Sequence, residues 1–233
     1  MSSQVYKDIE YTLIRSPRKT ASIYIERDGT VSVRVPQTLE QTKIEQIIEG
    51  KRAWIYKGLA EWETLNTPQI KREFVNGEGF LYLGRTYRLK LVQGQNSPLK
   101  LKQGYFCLQA TPDGQAPTDS PAIFKQFYRA KGLKRIPPRV AFYEQQVGVT
   151  VNQIRVMELQ NRWASCSAQA NLNFHWKLMM APSIIIDYII IHELAHLLQP
   201  NHTAAFWHEI EKVMPDYRRH EAWLKENGVR LVV

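Results

Sequence analysis

Two stretches near the front of the chain, Ala21–Glu26 and Thr30–Val35, alternate between apolar and polar positions on either side of Arg27-Asp28-Gly29. Alternation around Asp-Gly predicts a β-hairpin, because a tight turn at positive φ matches the twist of paired strands. Pro36 has no amide hydrogen to continue a ladder and closes the second strand. From Leu39 to Asn66 the spacing becomes helical, with Ile44, Ile47, Ile48, Trp54, Ile55, Leu59 and Trp62 recurring, and Gly50 can divide the segment. Glu78–Val92 alternates again and predicts a β pair turning near Gly84, and Leu99–Leu108 predicts a further strand. Thr111–Pro121 contains Pro112, Gly114, Pro117 and Pro121 and predicts a loop. No internal repeat is visible.

The second part of the chain is patterned differently. Pro138–Val147 reads as a helix, Val151–Gln160 as a strand and Asn161–Gln169 as a loop of small polar residues. Leu172, Phe174, Trp176 and Leu178 alternate, predicting a strand over Asn171–Leu178. Pro182-Ser183 opens an apolar helix that runs to about Leu198, where Pro200 and Asn201 stop it. Phe206–Val213 and Arg218–Glu226 predict two short helices separated by Pro215. The sum is an α+β chain. A β-rich region, 1–122, with a helical segment at about 39–66, precedes a second domain, 123–233.

Composition narrows this picture. The chain has 233 residues, 44% of them hydrophobic, enough for a sizeable core. No apolar run approaches the ~20 residues of a membrane span; Ile184–Ile191 is short and holds Asp187. The opening MSSQVYKDIEYT has no apolar core of signal-peptide type, and two cysteines, Cys107 and Cys166, make no disulfide scaffold. The expectation is a cytoplasmic protein with no membrane partner. The net charge of +9 is uneven: residues 1–140 hold 23 Lys/Arg against 13 Asp/Glu, and residues 141–233 hold 8 against 9. Phe124–Val140 is densest, with Lys125, Arg129, Lys131, Lys134, Arg135, Arg139 and no acid. Nucleic acid or a nucleotide could be held by the basic N-terminal half and residues 124–140; an ordinary solvated face is the plainer explanation.

The segment that carries chemistry is His192-Glu-Leu-Ala-His-Leu-Leu-Gln-Pro-Asn-His202. Two histidines four apart share one helix face, where their imidazoles can converge on a metal ion such as zinc. Glu193, next to the first, can reach a water on that ion. By composition the H-E-x-x-H spacing would arise by chance in about one such chain in a hundred. His202 requires a bend. On a continued helix it would lie roughly 9 Å along the axis from His196 and rotated away. A break at Pro200-Asn201 can return it, giving three imidazoles and an open position, the pattern of a catalytic zinc site. The competing reading, histidines packed in a core helix, suits one His better than three beside a Glu. His208 and His220 lie in polar surroundings and read as surface residues. His175 reads as surface, with a substrate-facing role as the alternative.

Asn161-Arg-Trp-Ala-Ser-Cys-Ser, Asn171-Leu-Asn-Phe-His-Trp-Lys-Leu, Ala181-Pro182, the His192–His202 motif, Phe206-Trp207 and Met214-Pro-Asp-Tyr217 together resemble the YgjP-like metallopeptidase family, related to SprT- and Wss1-type zinc proteases. The resemblance is dense from about Asn152 to Gly228 and looser before it. It implies a zincin-like catalytic domain, Zn2+ on His192, His196 and His202, and Glu193 as general base. The chain departs from the pattern at Ala164, often Gly in the family. It also has Gln199 where the wider metzincin pattern has a Gly that lets the helix exit left-handed. Met214 can be the hydrophobic floor such enzymes place under zinc, or a core residue.

The expected activity is therefore hydrolysis of peptide bonds by a zinc-bound water that Glu193 activates. Arg162, Trp163 and Asn173 are the substrate-cleft candidates, with Arg162 or the amides of 163–165 as oxyanion donors. The strand before the metal helix is expected to take extended substrate by edge pairing. Asp187, Glu209 and Asp216 are available to orient the imidazoles. Cys166 has no His in its loop to activate it and reads as structural. The alternatives are a nucleotide phosphohydrolase (a nucleoside triphosphate pyrophosphatase) and a nucleic-acid-associated metal-binding module. The absence of a Walker-type loop weakens the former, and Glu193 beside an open position weakens the latter.

Overall fold

The computed structural model describes residues 2–26, 29–65, 72–159 and 162–233. Its contacts divide the chain into two compact units, Met1–Gln69 and Ile70–Val233. The Arg27-Asp28 turn, Asn66, Gln160 and Asn161 lie outside the described residues.

In the first unit four strands make one sheet: β1 (Ser2–Tyr6), β2 (Ile9–Ser16), β3 (Ser22–Ile25) and β4 (Val31–Pro36). The order is β1-β2-β4-β3, with antiparallel outer pairs and a parallel centre. Ile9, Tyr11 and Leu13 face inward at every second position of β2, as do Val31, Val33 and Val35 of β4. They bury Ile44 and Ile48 of α1 (Gln41–Gly50) and Ile55 of α2 (Arg52–Leu65), so the expected helical segment does divide after Gly50. The hairpin β3–β4 is as expected. β1 and β2 escape the pattern because their turn, Lys7-Asp8, has neither glycine nor proline, and Lys7 itself adopts φ of 55°.

The second unit begins with another four-stranded sheet: β5 (Gly79–Tyr82), β6 (Arg85–Val92), β7 (Leu99–Lys102) and β8 (Tyr105–Gln109). Leu99–Leu108 is thus a hairpin and not one strand. Its turn, Gln103-Gly104, has φ of 52° and 81°, and Leu83-Gly84 between β5 and β6 has 50° and 78°. Two successive positive φ values are the type I′ pattern of tight hairpins. The buried face meets α3 (Ser120–Val147), where Phe124 stacks on Phe80 at 4.4 Å and packs on Phe106 at 5.3 Å. α3 runs through Pro137 and Pro138, so Pro138 does not start the helix. The two prolines only withdraw the amide donors for the carbonyls of Leu133 and Lys134.

Next come β9 (Gln153–Met157), β10 (Ala164–Cys166) and β11 (Asn171–His175), in the order β10-β11-β9. The expected loop therefore holds an edge strand, β10. The strand from Asn171 stops at His175, and Trp176–Met180 is a tight 3-10 turn. Three helices complete the unit: α4 (Ser183–Leu198), α5 (Ala204–Val213) and α6 (Tyr217–Asn227). One hydrophobic core joins the β5–β8 sheet, α3, β9–β11 and α4.

The division at 69/70 does not coincide with the boundary read near 122, because the phenylalanines of the sheet and of α3 interlock. The α+β class holds. The charge belongs to the second unit, with 21 Lys/Arg against 13 Asp/Glu, while residues 1–69 hold 10 against 9. No helix among the described residues is long and apolar enough to cross a membrane.

Candidate metal centre

α4 is buried on nearly every side, with Ile185, Ile186, Ile190, Ile191, Leu194 and Ala195 in the core. His192 and His196 therefore project from a fixed support, their ring centres 5.0 Å apart. The helix leaves through Gln199 in extended conformation (φ −134°, ψ 99°), so no left-handed glycine is needed. Beyond Pro200-Asn201, Thr203 N bonds Asn201 O at 2.7 Å and α5 begins. This reversal brings His202 to 5.0 Å from His192 and 4.7 Å from His196, between ring centres. One ring nitrogen from each of the three lies within 4.8 Å of the others.

The donor set fits a metal ion. His202 Nε2 and His192 Nε2 are 3.0 Å apart. Two imidazoles bound at about 2.0–2.1 Å in a tetrahedron have their nitrogens about 3.3 Å apart. Burial, aided by His196 and His202, pushes His192 down to about 3, and burial also lowers His196. Both are neutral with lone pairs available. Phe206, fully buried, packs against all three imidazoles at 4.9, 4.6 and 4.6 Å. Trp207 stacks on His202 at 5.7 Å, and Tyr217 stacks on Trp207 at 5.3 Å. Met214 is buried in the core; the ring under the histidines is Phe206.

No carboxylate among the described residues orients the imidazoles. His196 Nδ1 lies 3.4 Å from the Gln199 carbonyl, and His192 Nδ1 is buried with no partner. Asp187 is held by Arg139 through two bonds of 2.8 and 2.7 Å. Glu209 pairs with Lys212 and Asp216 with His220.

Glu193 is buried, and burial pushes its carboxyl up to about 8, opposed by the charge of Arg162. With His192 it forms part of a cavity of about 350 Å³. Arg162, Trp163 and Ala164 supply one wall; Leu224 and Lys225 of α6 supply another. Asn173 does not line it; its amide donates to Ser165 Oγ at 3.2 Å. Nor is β11 free to pair with substrate, because β10 and β9 occupy both its edges; the edge strands are β10, next to the cavity, and β9. Trp176 is buried, and its indole donates to Glu158. Cys166 is pushed up to about 11 by burial and the nearby Glu193, which keeps it a thiol at neutral pH.

The other histidines divide. His208 is exposed, whereas His220 is half-buried against Tyr188. His175 is 1% exposed, not a surface residue. Its Nδ1 accepts from Lys177 N, leaving Nε2 to bond Glu158 at 3.1 Å. Sequence reasoning also passed over Tyr188 and Glu221, both on the cavity wall. Tyr188 was legible, one helical turn before His192 on the same face; nothing in the sequence marked Glu221.

The basic stretch on α3 is mostly spent inside the unit. Arg139 holds Asp187, Arg135 donates to Ser183 Oγ, Lys125 pairs with Glu158 and Arg129 donates to the Val156 carbonyl. These contacts clamp α3 to α4 and to β9, which is why cations accumulate there.

A family model described as YgjP-like, metallopeptidase domain, matches residues 19–227. No curated protein matches the chain. Among solved structures, the metallopeptidase zymogen abylysin of Pyrococcus abyssi is similar at 24% identity. The match covers 38% of this chain and 90% of that one, with a TM-score of 0.36.

Proposed function

Because this chain belongs to the YgjP-like metallopeptidase family, we propose that it is a zinc-dependent peptidase in which His192, His196 and His202 hold the ion and Glu193 is the general base. The observation that carries this reading is the convergence of three imidazoles, with His192 and the buried Glu193 on the wall of one cavity. Three nitrogens with an open position suit Zn2+, which when bound supplies Lewis acidity and lowers the pKa of its water.

The chain's own residues do the rest. In its ionised form Glu193 takes a proton from the attacking water and returns it to the leaving amine. Arg162, on the cavity wall, places positive charge where the carbonyl oxygen becomes negative. An extended polypeptide adds to the free edge of β10, whose Ala164 lines the cavity. Trp163 and Leu224 give its side chains apolar cover. A nucleotide substrate suits this cavity less well. Of the two cations on its wall, Lys225 pairs with Glu221 at 3.7 Å, which leaves Arg162 alone on that wall to meet a triphosphate. Two free cysteines fit a reducing compartment such as the cytoplasm.

The test is a pair of variants assayed on unfolded polypeptide and on nucleoside triphosphates. The wild type should bind one zinc and cleave the polypeptide. His192→Ala should lose the metal, and Glu193→Gln should keep metal and fold while turnover falls at least a hundredfold. Full turnover in Glu193→Gln, or zinc retained by His192→Ala, would overturn the assignment.

A further inference from the structure

We propose that the outer face of the β5–β8 sheet is a binding platform for single-stranded nucleic acid. The inner face is committed to the core, where Phe80, Leu89, Phe106 and Leu108 are buried. Strand pairing fixes what stands on the other side. Arg88, Tyr105 and Lys102 make one cross-strand row, and Lys90, Cys107 and Lys100 make the next. Neighbours in a row are about 4.8 Å apart, and the rows are separated by about 7 Å. Four cations thus flank a tyrosine and a small thiol on three adjoining strands.

Nothing among the described residues neutralises them on this face. The four strands contain no Asp or Glu. Arg88, Lys90, Lys100 and Lys102 are all exposed, and none has an ion pair among the described residues. Tyr105 is 43% exposed, with no aromatic ring or cation stacked on it among the described residues. Like charges gathered on one sheet face are unfavourable, so the arrangement calls for a reason. Protection of a sheet edge accounts for lysines on β7, which is an edge strand. It does not account for Arg88 and Lys90, because β6 is an interior strand.

A polyanion resolves the repulsion. Phosphates set along the two rows displace counterions, and a base stacked on Tyr105 uses the bare ring at their centre. A duplex keeps its base faces inside its own stack and cannot offer one to Tyr105, which is why the occupant is single-stranded. This site is distinct from the cations of α3, most of which are engaged within the unit, and it does not depend on the peptidase reading.

The experiment measures fluorescence anisotropy of a labelled oligothymidine strand with the full chain at several salt concentrations. The expected result is salt-dependent binding, with a matched duplex bound more weakly. Replacing Arg88, Lys90, Lys100 and Lys102 together by Gln should flatten the log–log salt slope by about 3, at about 0.7 per phosphate contact. Tyr105→Ala should weaken binding about tenfold at unchanged slope, and Tyr105→Phe should retain it. Replacing Lys134 and Arg135 by Gln should change nothing. The proposal is overturned if the wild type does not bind. An unchanged slope in the fourfold variant, equal duplex affinity with no effect of Tyr105→Ala, or loss of binding in the Lys134/Arg135 variant would each overturn it as well.

Discussion

The sheets of the two units have the same topology. β1-β2-β4-β3 and β5-β6-β8-β7 are each a pair of hairpins whose inner strands run parallel. Their surroundings differ. The first sheet closes a small core with α1 and α2, whereas the second shares its core with α3 and the helix that bears His192 and His196. Their outer faces differ as well. On the first, Arg34 pairs with Glu26 and covers the Tyr24 ring at 4.7 Å. On the second, the cations and Tyr105 stand uncovered among the described residues. One strand arrangement therefore serves as a self-contained module in one place and as one layer of the candidate catalytic unit in the other. What distinguishes the two is the composition of each face, not the pairing.

The strongest way to break this comparison is through the cores. Phe106→Ala removes a fully buried ring that packs on Phe80, Phe124 and Tyr128. The expected cost is about 3–5 kcal/mol. Ile48→Ala in the first core should cost about 2–5 kcal/mol. Only Phe106→Ala should release metal at a lower denaturant concentration, because only that core supports α4. Denaturation followed in parallel by metal content and circular dichroism decides; equal metal loss in both variants would show that the cores are not separate supports.

A smaller effect sharpens the role of the second sheet. Leu83 N and Gly84 N bond the carbonyls of Met179 and Met180 at 2.9 and 3.0 Å, tying one hairpin tip to the chain just before α4. A Cβ on Gly84 would lie 2.8 Å from the Pro182 ring and 3.0 Å from its Cα, at φ of +78°. Gly104, at the tip of the other hairpin, has φ of +81° and nothing within 4 Å. Gly104→Ala should therefore cost only the left-handed penalty of about 1–2 kcal/mol, and Gly84→Ala about 1 kcal/mol more. Equal shifts in melting temperature would show that the Pro182 contact yields freely.

These contrasts also mark what the sequence could convey. The β3–β4 hairpin, the break at Gly50, α4 and the three histidines were legible, because alternation, helical spacing and Pro200-Asn201 are local signals. The shared sheet topology was not. Parallel pairing of β2 with β4 and of β6 with β8 is non-local, and the two sheets have no sequence repeat. β10 is three residues long, too short to show alternation. His175 alternated as a surface residue would, yet it is buried and bonds Glu158, a partner 17 positions earlier. The cations of α3 read as an ordinary solvated face, with nucleic acid as the alternative, because their internal partners, Asp187 and Glu158, are distant in sequence. Phe206 gave no sign of its place under the histidines, since that depends on the reversal after Gln199.

The smallest expected effect separates the ion pairs of the two units. In the first, Lys7–Glu49 and Arg52–Asp8 are exposed pairs, which added salt screens. In the second, Glu158 receives Lys125 and the Trp176 indole and lies against the buried His175. Burial acts to raise its carboxyl, but the Lys125 and Trp176 hydrogen bonds outweigh it and hold the group below the ordinary 4.5. A carboxylate whose folded pKa is depressed contributes stability above its unfolded value and loses it as pH falls through the folded one. Wild type should therefore be more stable than Glu158→Gln at pH 7, and the gap should close below about pH 4. Because the carboxylate is half-exposed, the gap is small. It should nevertheless survive added salt better than the gap produced by Glu49→Gln, since the Trp176 hydrogen bond is not an ion pair. Urea titrations of the three proteins at both pH values, with and without salt, test this. A gap constant with pH would show that Glu158 acts through packing and not through its charge.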